Sequence, residues 1–198
     1  MKENSPQSLM PRLRFPEFQQ KPAWDSRSLG LVCDLKAGDF VSASAISDEQ
    51  KNDLFPCYGG NGLRGYVASF THEGLYVLVG RQGALCGNVN LFSGKFHATE
   101  HALVATPKSG IEVGWLYYAL TGLKLNRFAI GQAQPGLSVT VLNAVEMVVP
   151  ATKAEQRRIA DCLSTRDART AAETEKLAAL KTHKQGLMQQ LFPSPEGG

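Results

Sequence analysis

Two short runs in this sequence carry residue types at spacings that could do chemistry. Gly60-Asn61-Gly62-Leu63-Arg64-Gly65 reads G-x-G-x-x-G, the pattern with which a glycine-rich turn lets backbone amides approach a dinucleotide pyrophosphate. That chemistry needs a Val/Ile-rich strand before the turn and a helix after it, so that the anion sits at the helix N-terminus. Here Asp53-Leu54-Phe55-Pro56-Cys57-Tyr58 comes first, with a proline in the way, and Gly65-Tyr66-Val67-Ala68-Ser69-Phe70 follows and reads as a strand. No acidic residue stands about twenty positions on to hold a ribose. His97-Ala98-Thr99-Glu100-His101 reads H-x-x-E-H, a zinc-hydrolase pattern when both histidines share one face of a helix and the glutamate serves as base. Its flanks read as turn and strand, and on a strand the two imidazoles would stand about 13 Å apart, too far for one zinc ion. A zinc-dependent hydrolase on His97, Glu100 and His101 is therefore the poorer alternative.

The remaining inventory does not favour catalysis. There is no G-x-S-x-G, no P-loop and no Asn/Asp-Pro-Pro-aromatic methyltransferase motif. Cys33, Cys57, Cys86 and Cys162 are far apart and form no C-x-x-C pair, so free thiols are expected, with no metal and no cofactor.

The elements that must position these residues fall into two regions. Residues 24–150 hold 16 of the 19 glycines and most of the short apolar runs. Val, Tyr and Leu content predicts strands at 75–80, 84–92, 101–106 and 144–149. Residues 111–122 read as a helix, 123–130 as a shorter one, and 131–138 as turn. From 152 to 191 the chain is rich in Ala, Lys, Glu and Gln, with one glycine and no proline. It reads as a single helix of about 39 residues and about 58 Å. Thr152-Lys153-Ala154-Glu155 fits a capping box, with Pro150 before it and Phe192-Pro193 after the helix.

The helix carries two rows at a seven-residue rhythm: Ile159, Arg166, Glu173, Leu180, Leu187, and Leu163, Thr170, Leu177, Lys184, Leu191. Apolar ends and a polar or alanine-lined centre (Ala168, Ala171, Ala172) suit a helix gripped at both ends, by a partner helix or by its own domain.

Charge constrains the partner weakly. There are 21 Lys and Arg against 18 Asp and Glu, a net of +3, less than a dedicated DNA-binding chain usually shows. No secretory leader or membrane span is expected, which suggests a cytoplasmic protein.

Several blocks, in their order, resemble the specificity subunits of Type I restriction-modification complexes. Arg14-Phe15-Pro16-Glu17-Phe18 with Trp24 and Leu29-Gly30 is similar to their opening, and Tyr58–Tyr66, Val79–Val89 and Gly131–Ser138 to blocks of their target-recognition domains. Pro150, Glu155-Gln156-Arg157-Arg158-Ile159-Ala160 and the ending Gly186–Phe192 resemble their spacer helix. The likeness runs over roughly residues 12–193. It implies an α+β fold: a polar N-terminal arm (1–23), a mixed β-rich recognition domain (24–150), a long coiled-coil-type spacer helix (151–192) and a disordered tail (193–198).

It also implies a non-catalytic subunit that reads one half of a bipartite site in double-stranded DNA and docks adenine-methyltransferase subunits, with a motor-nuclease subunit joining for cleavage. A family member carries two recognition domains and two helices; this sequence has one of each. The resemblance thus implies a half-subunit or a truncated one, able to form a homodimer through Ile159, Leu163, Leu177, Leu180, Leu187 and Leu191. A module that binds methyltransferase without reading DNA is the other alternative.

For a DNA reader, base edges are told apart by Arg on guanine and by Asn or Gln on adenine. Glycine-flanked loops bring such side chains close. The expected contacts are Asn61, Arg64, Arg81, Gln82, Gln132 and Gln134, with Lys95 and His97 for phosphate or base. The competing reading makes the arginines salt-bridged surface groups and the amides local turn caps.

Overall fold

The computed structural model describes residues 9–60, 62–131 and 134–192. The apolar run Val77-Leu78-Val79 is buried within β5 (His72–Gly80), a strand with neighbours on both edges. Around it a six-stranded sheet is ordered β2 (Cys33–Ala37), β7 (Ala102–Pro107), β5, β6 (Val89–Ala98), β3 (Phe55–Gly59) and β4 (Gly62–Val67). All pairings are antiparallel except β3 with β6. Gly74 pairs with Gly94, and both have positive φ (127° and 100°), so β5 and β6 depart from regular strand geometry together.

Helix α2 (Val113–Gly122) packs Trp115, Leu116 and Leu120 into the core. Its N-cap is Glu112, whose side chain accepts from the Trp115 amide at 2.6 Å. An aromatic group fills the other part of the core: Phe96, Leu78, Ala98 and Val104, with Tyr58 stacked on Phe92 at 3.6 Å between ring centroids.

Three sequence expectations shift. The strand expected at 84–92 starts at Val89 instead and runs to Ala98. Residues before it turn, because Gly83 and Gly87 take φ of 86° and 88° and Cys86 N–H donates to Gly83 O at 3.0 Å. The helix expected over 123–130 contracts to a single 3-10 turn, Leu125–Phe128. The H-x-x-E-H run spans the end of β6 and the turn into β7, closed by Ala102 N–H to Thr99 O at 2.9 Å, so it lies neither on a helix nor on one strand.

A two-stranded sheet joins the start and end of this unit: β1 (Asp25–Ser28) runs antiparallel to β8 (Glu146–Val149). Between β1 and β2 lies the short α1 (Leu29–Val32), and before β8 lies α3 (Val139–Asn143). After buried Pro150, α4 spans Lys153–Leu191, the extent its cap and composition predict. The chain divides into two compact units after Ile159, so the first turns of α4 belong to the sheet-bearing unit, while α4 from Ala160 lies in the second.

Those first turns are fixed by buried polar groups. Thr152 Oγ1 accepts from Glu155 N–H at 3.2 Å, the first half of the expected capping box. The Glu155 carboxylate is committed elsewhere. Arg14 donates to it through Nε at 2.7 Å and Nη2 at 2.8 Å, and Trp24 donates through Nε1 at 3.0 Å. Arg14 also donates to the carbonyls of Lys21 and Pro22, both at 2.9 Å. The described part of the expected polar arm is thus tied down by a buried arginine.

Next to it, Gln156 is 2% exposed and fully used: Nε2 donates to Gly110 O and Pro150 O, both at 3.2 Å, and Oε1 accepts from Glu112 N–H at 2.8 Å. From Ala160 onward Leu163, Leu177, Leu180, Leu187 and Leu191 are exposed, while Ile159 is half-buried. The threonines of α4 bond back to the preceding turn, as Thr170 does to Arg166 O at 2.9 Å.

Two outcomes follow. Gln156→Ala strands three backbone groups and should cost about 3 kcal/mol, at about 1 kcal/mol each, read by urea unfolding. Burial raises the Glu155 pKa, but the hydrogen bonds from Arg14 and Trp24 and the arginine charge outweigh it, and the group titrates below the ordinary carboxylate range. Its contribution is therefore complete above the unfolded value, about 4.3, and is lost as pH falls through the lower folded value. Glu155→Gln should flatten this acid limb of stability against pH and lower the melting temperature at pH 7. An unchanged acid limb would show that the pair contributes nothing.

Candidate nucleic-acid interface

Three connections of the sheet and the segment that leads into α3 meet at one place, where glycines let backbones touch. A Cβ on Gly60, in the β3–β4 turn, would stand 2.9 Å from His101 O and 3.3 Å from Gly80 Cα. A Cβ on Gly80, at the end of β5, would stand 2.6 Å from Gly60 O and 2.7 Å from Leu85 O. The β5–β6 loop is then held by backbone bonds: Arg81 N–H to His101 O at 2.9 Å, Leu137 N–H to Arg81 O at 2.9 Å and Gly83 N–H to Pro135 O at 3.0 Å. Ile130 and Gly136 exchange two bonds at 2.9 Å, closing the segment that leads into α3. Main-chain bonds therefore supply most of the described contacts that hold the cluster.

Arg64, Arg81, Gln82 and Gln134 are brought together here. Arg64 is exposed and its Cδ lies over Gly59, 2.7 Å from where a Cβ would be. Neither Arg64 nor Arg81 has an ion pair to a described carboxylate, which answers the competing reading of salt-bridged surface groups. Gln82 bridges to Gly136 through its backbone while its side chain stays exposed, as does that of Gln134. Asn61 and Gln132 lie outside the described residues.

Two expected contacts are placed differently. Lys95 stands opposite Glu73 on β5, seven positions from Gly80. Its ammonium is 3.9 Å from the Glu73 carboxylate and 4.9 Å from the Phe70 ring centroid, so it has local partners. His97 is 6% exposed, with Nε2 3.3 Å from Asp39 O. It is buried and offers little surface to a duplex.

The turn 99–101 is the part that residue types did not single out for recognition. His101 Nε2 lies 3.1 Å from Glu100 Oε1 at the edge of the cluster. Thr99 Oγ1, Glu100 Oε2 and His97 Nδ1 are buried without a hydrogen-bond partner among the described residues. Burial pushes the nearby Cys57 thiol up, Arg64 lowering it and Glu100 raising it. The signal available in the sequence was a polar triplet between two apolar strands, which the H-x-x-E-H spacing directs toward metal chemistry instead. The two histidines face different surroundings, and among the described residues no group of three His, Cys, Asp or Glu could hold a metal. The G-x-G-x-x-G run is likewise a hairpin, β3 to β4, with no helix after it.

The fold of this chain is similar to that of solved restriction-modification specificity subunits. The S subunit from M. genitalium superposes with a TM-score of 0.71 at 23% identity, covering 91% of this chain and 47% of that one. The HsdS subunit from Thermoanaerobacter tengcongensis does so at 0.60 and 21%, covering 90% and 47%.

The family model described as Type I restriction modification DNA specificity domain matches residues 22–182, and the chain belongs to that family. It is 42% identical over 150 residues to the Type I restriction enzyme EcoprrI specificity subunit of Escherichia coli, covering 75% of this chain and 37% of the relative. A putative type I restriction enzyme specificity subunit of Haemophilus influenzae is 29% identical over 114 residues, covering 55% and 30%. The chain thus spans about a third of the length of these relatives. Specificity subunits are non-catalytic, and this chain is classed with them. Among the described residues no helix is long and apolar enough to cross a membrane.

The glycine packing makes a direct prediction. Gly80→Ala places a methyl against two carbonyl oxygens and should destabilise the fold by about 1–3 kcal/mol. Gly122→Ala, which meets open space, should be neutral or better. Urea midpoints of the two variants compare them, and equal midpoints would contradict the packing argument.

Proposed function

We propose that this chain reads one half of a bipartite DNA site through the loop cluster of Arg64, Arg81, Gln82 and Gln134, with Asn61 and Gln132 in the same loops. We further propose that α4 docks adenine-methyltransferase subunits and pairs with a second helix, either in a homodimer or in a longer chain. A motor-nuclease subunit would join the same assembly. The observation that carries the reading is a pair of arginines, Arg64 on β4 and Arg81 in a loop held by backbone bonds, whose guanidinium groups have no ion pair to a described carboxylate. A forked donor in that state is available for the O6 and N7 acceptors of guanine. With a net charge of only +3 the electrostatic attraction to DNA is small. Affinity then depends on pairing two modules and on partner subunits.

The deciding experiment is genome-wide adenine-methylation mapping in cells carrying this chain and its cognate methyltransferase. A split motif that vanishes without the chain supports the reading; an unchanged methylome sinks it and favours a docking module that does not read DNA. Within that assay Arg81→Ala should weaken discrimination at one base position by about 1–3 kcal/mol. In the exposed rows of α4, changing Leu180 and Leu187 to Asp should convert a dimer to monomer in light scattering. A dimer mass that persists would exclude that helix as the seam.

A further inference from the structure

Lys124 is the one described residue other than glycine with a left-handed backbone, φ 50°. It sits just past α2, its amide donating to Thr121 O at 3.2 Å. A helix end of this kind normally places glycine there, since any Cβ is crowded against the backbone. The side chain therefore stands where the fold alone would favour its absence, and retained strain of this sort is found where a side chain serves a ligand.

The surroundings suggest which ligand. Lys124, Thr121 and Asn126 form one wall of an open groove of about 460 Å³. The other wall is Ala84–Val89, including Asn88, in the loop that continues directly from Arg81 and Gln82. That loop is seated closely: a Cβ on Gly87 would collide with the Asn126 backbone. The lining contains a lysine, two asparagines and a threonine, with no carboxylate, and Lys124 has no ion pair to a described residue.

We infer that this groove holds a backbone phosphate of the duplex, with Lys124 as the countercharge and Asn88 and Asn126 as neutral donors. The assignment rests on the DNA-reading function proposed above. An ammonium on a flexible stem suits a phosphodiester oxygen, and such contacts set the register of a reading module without carrying sequence information themselves. Lys124 would be a positioning residue: it fixes how the Arg81 loop meets the groove, and is indifferent to which bases lie there.

The test uses the full chain and a fluorescent duplex of arbitrary sequence, titrated over a series of low KCl concentrations, alone and with its methyltransferase. Lys124→Gln should reduce the slope of log affinity against log salt by about 0.9, the loss of one phosphate contact. Lys36→Gln, on the outer strand β2, should leave the slope unchanged. Lys124→Gly should lose the same slope while its melting temperature rises by about 1–4 °C from relief of the left-handed strain. That combination separates ligand contact from a merely structural role.

An unchanged slope in Lys124→Gln, or an equal loss in Lys36→Gln, overturns the assignment while leaving the reading function standing. A wild-type chain that binds no duplex in either setting overturns the reading itself, and the assignment with it. Inorganic phosphate at constant ionic strength is the second arm. If it raises the melting temperature of the wild type but not of Lys124→Gln, the groove belongs to free phosphate, against the duplex assignment.

Discussion

The carboxylate of Glu155 is the constraint on which the rest turns. A buried charge is tolerated only when paired and hydrogen-bonded, and breaking such a pair is far more costly than never having made it. Here one side chain in the first turn of α4 receives Arg14 and Trp24 from a segment some 131–141 positions earlier. Gln156 beside it satisfies Gly110, Pro150 and Glu112 at once. The N-terminal segment, the β1–β8 sheet, the entrance to α2 and the start of α4 are therefore one hydrogen-bonded assembly. Arg158 extends the same seam, its guanidinium 4.4 Å from the Phe15 ring centroid and 3.3 Å from the Glu17 carboxylate. No element of this assembly can move without leaving a buried polar group unpaired, so the first turn of α4 is fixed by the fold of the sheet-bearing unit.

At the loop cluster the logic is inverted. Gly60 and Gly80 let main chains touch, and the bonds Arg81 N–H to His101 O and Leu137 N–H to Arg81 O do the holding. Rigidity comes from backbone atoms that every residue has. Arg64 and Arg81 then project without obligations to a described carboxylate. A recognition surface needs this separation, since a side chain already committed to an ion pair must break it before binding anything else.

How far the sequence could be read follows from where each signal is local. The helix Lys153–Leu191 was legible because its start and stop are marked within a few residues by Pro150, Thr152 and Phe192-Pro193, and because nothing between them breaks a helix. Strand β5 was legible from the Val, Tyr and Leu content of residues 75–80 and the glycine that closes it. Strand β1 was not, since Asp25-Ser26-Arg27-Ser28 is polar and exists by pairing with β8. The misplaced start of β6 has a local cause, the left-handed turns at Gly83 and Gly87. In the candidate interface, glycine flanks pointed to Arg64, Arg81, Gln82 and Gln134, and the structure leaves Arg64, Gln82 and Gln134 exposed. Lys95 and His97 were beyond that reasoning, because the Glu73 pairing and the burial of His97 depend on strand register. The Arg14–Glu155 pair lay in plain view as residue types, but nothing short of the fold connects two charges 141 positions apart.

This division between backbone that holds and side chains that project also accounts for the way the fold persists at low identity. Solved specificity subunits keep TM-scores of 0.60–0.71 to this chain at 21–23% identity. If Arg64, Arg81, Gln82 and Gln134 stabilised their loops, each change of residue there would have to be compensated in packing. None of these four side chains makes a described hydrogen bond; the described bonds that hold the loops run through main-chain atoms, apart from the Cys86 thiol donating to Arg81 O at 3.3 Å. Exchange of the projecting side chains is then nearly free in stability, while exchange of Gly60, Gly80, Glu155 or Gln156 is not. A scaffold so arranged can change what its loops present without changing how it folds, and the positions able to vary are those with nothing buried to satisfy.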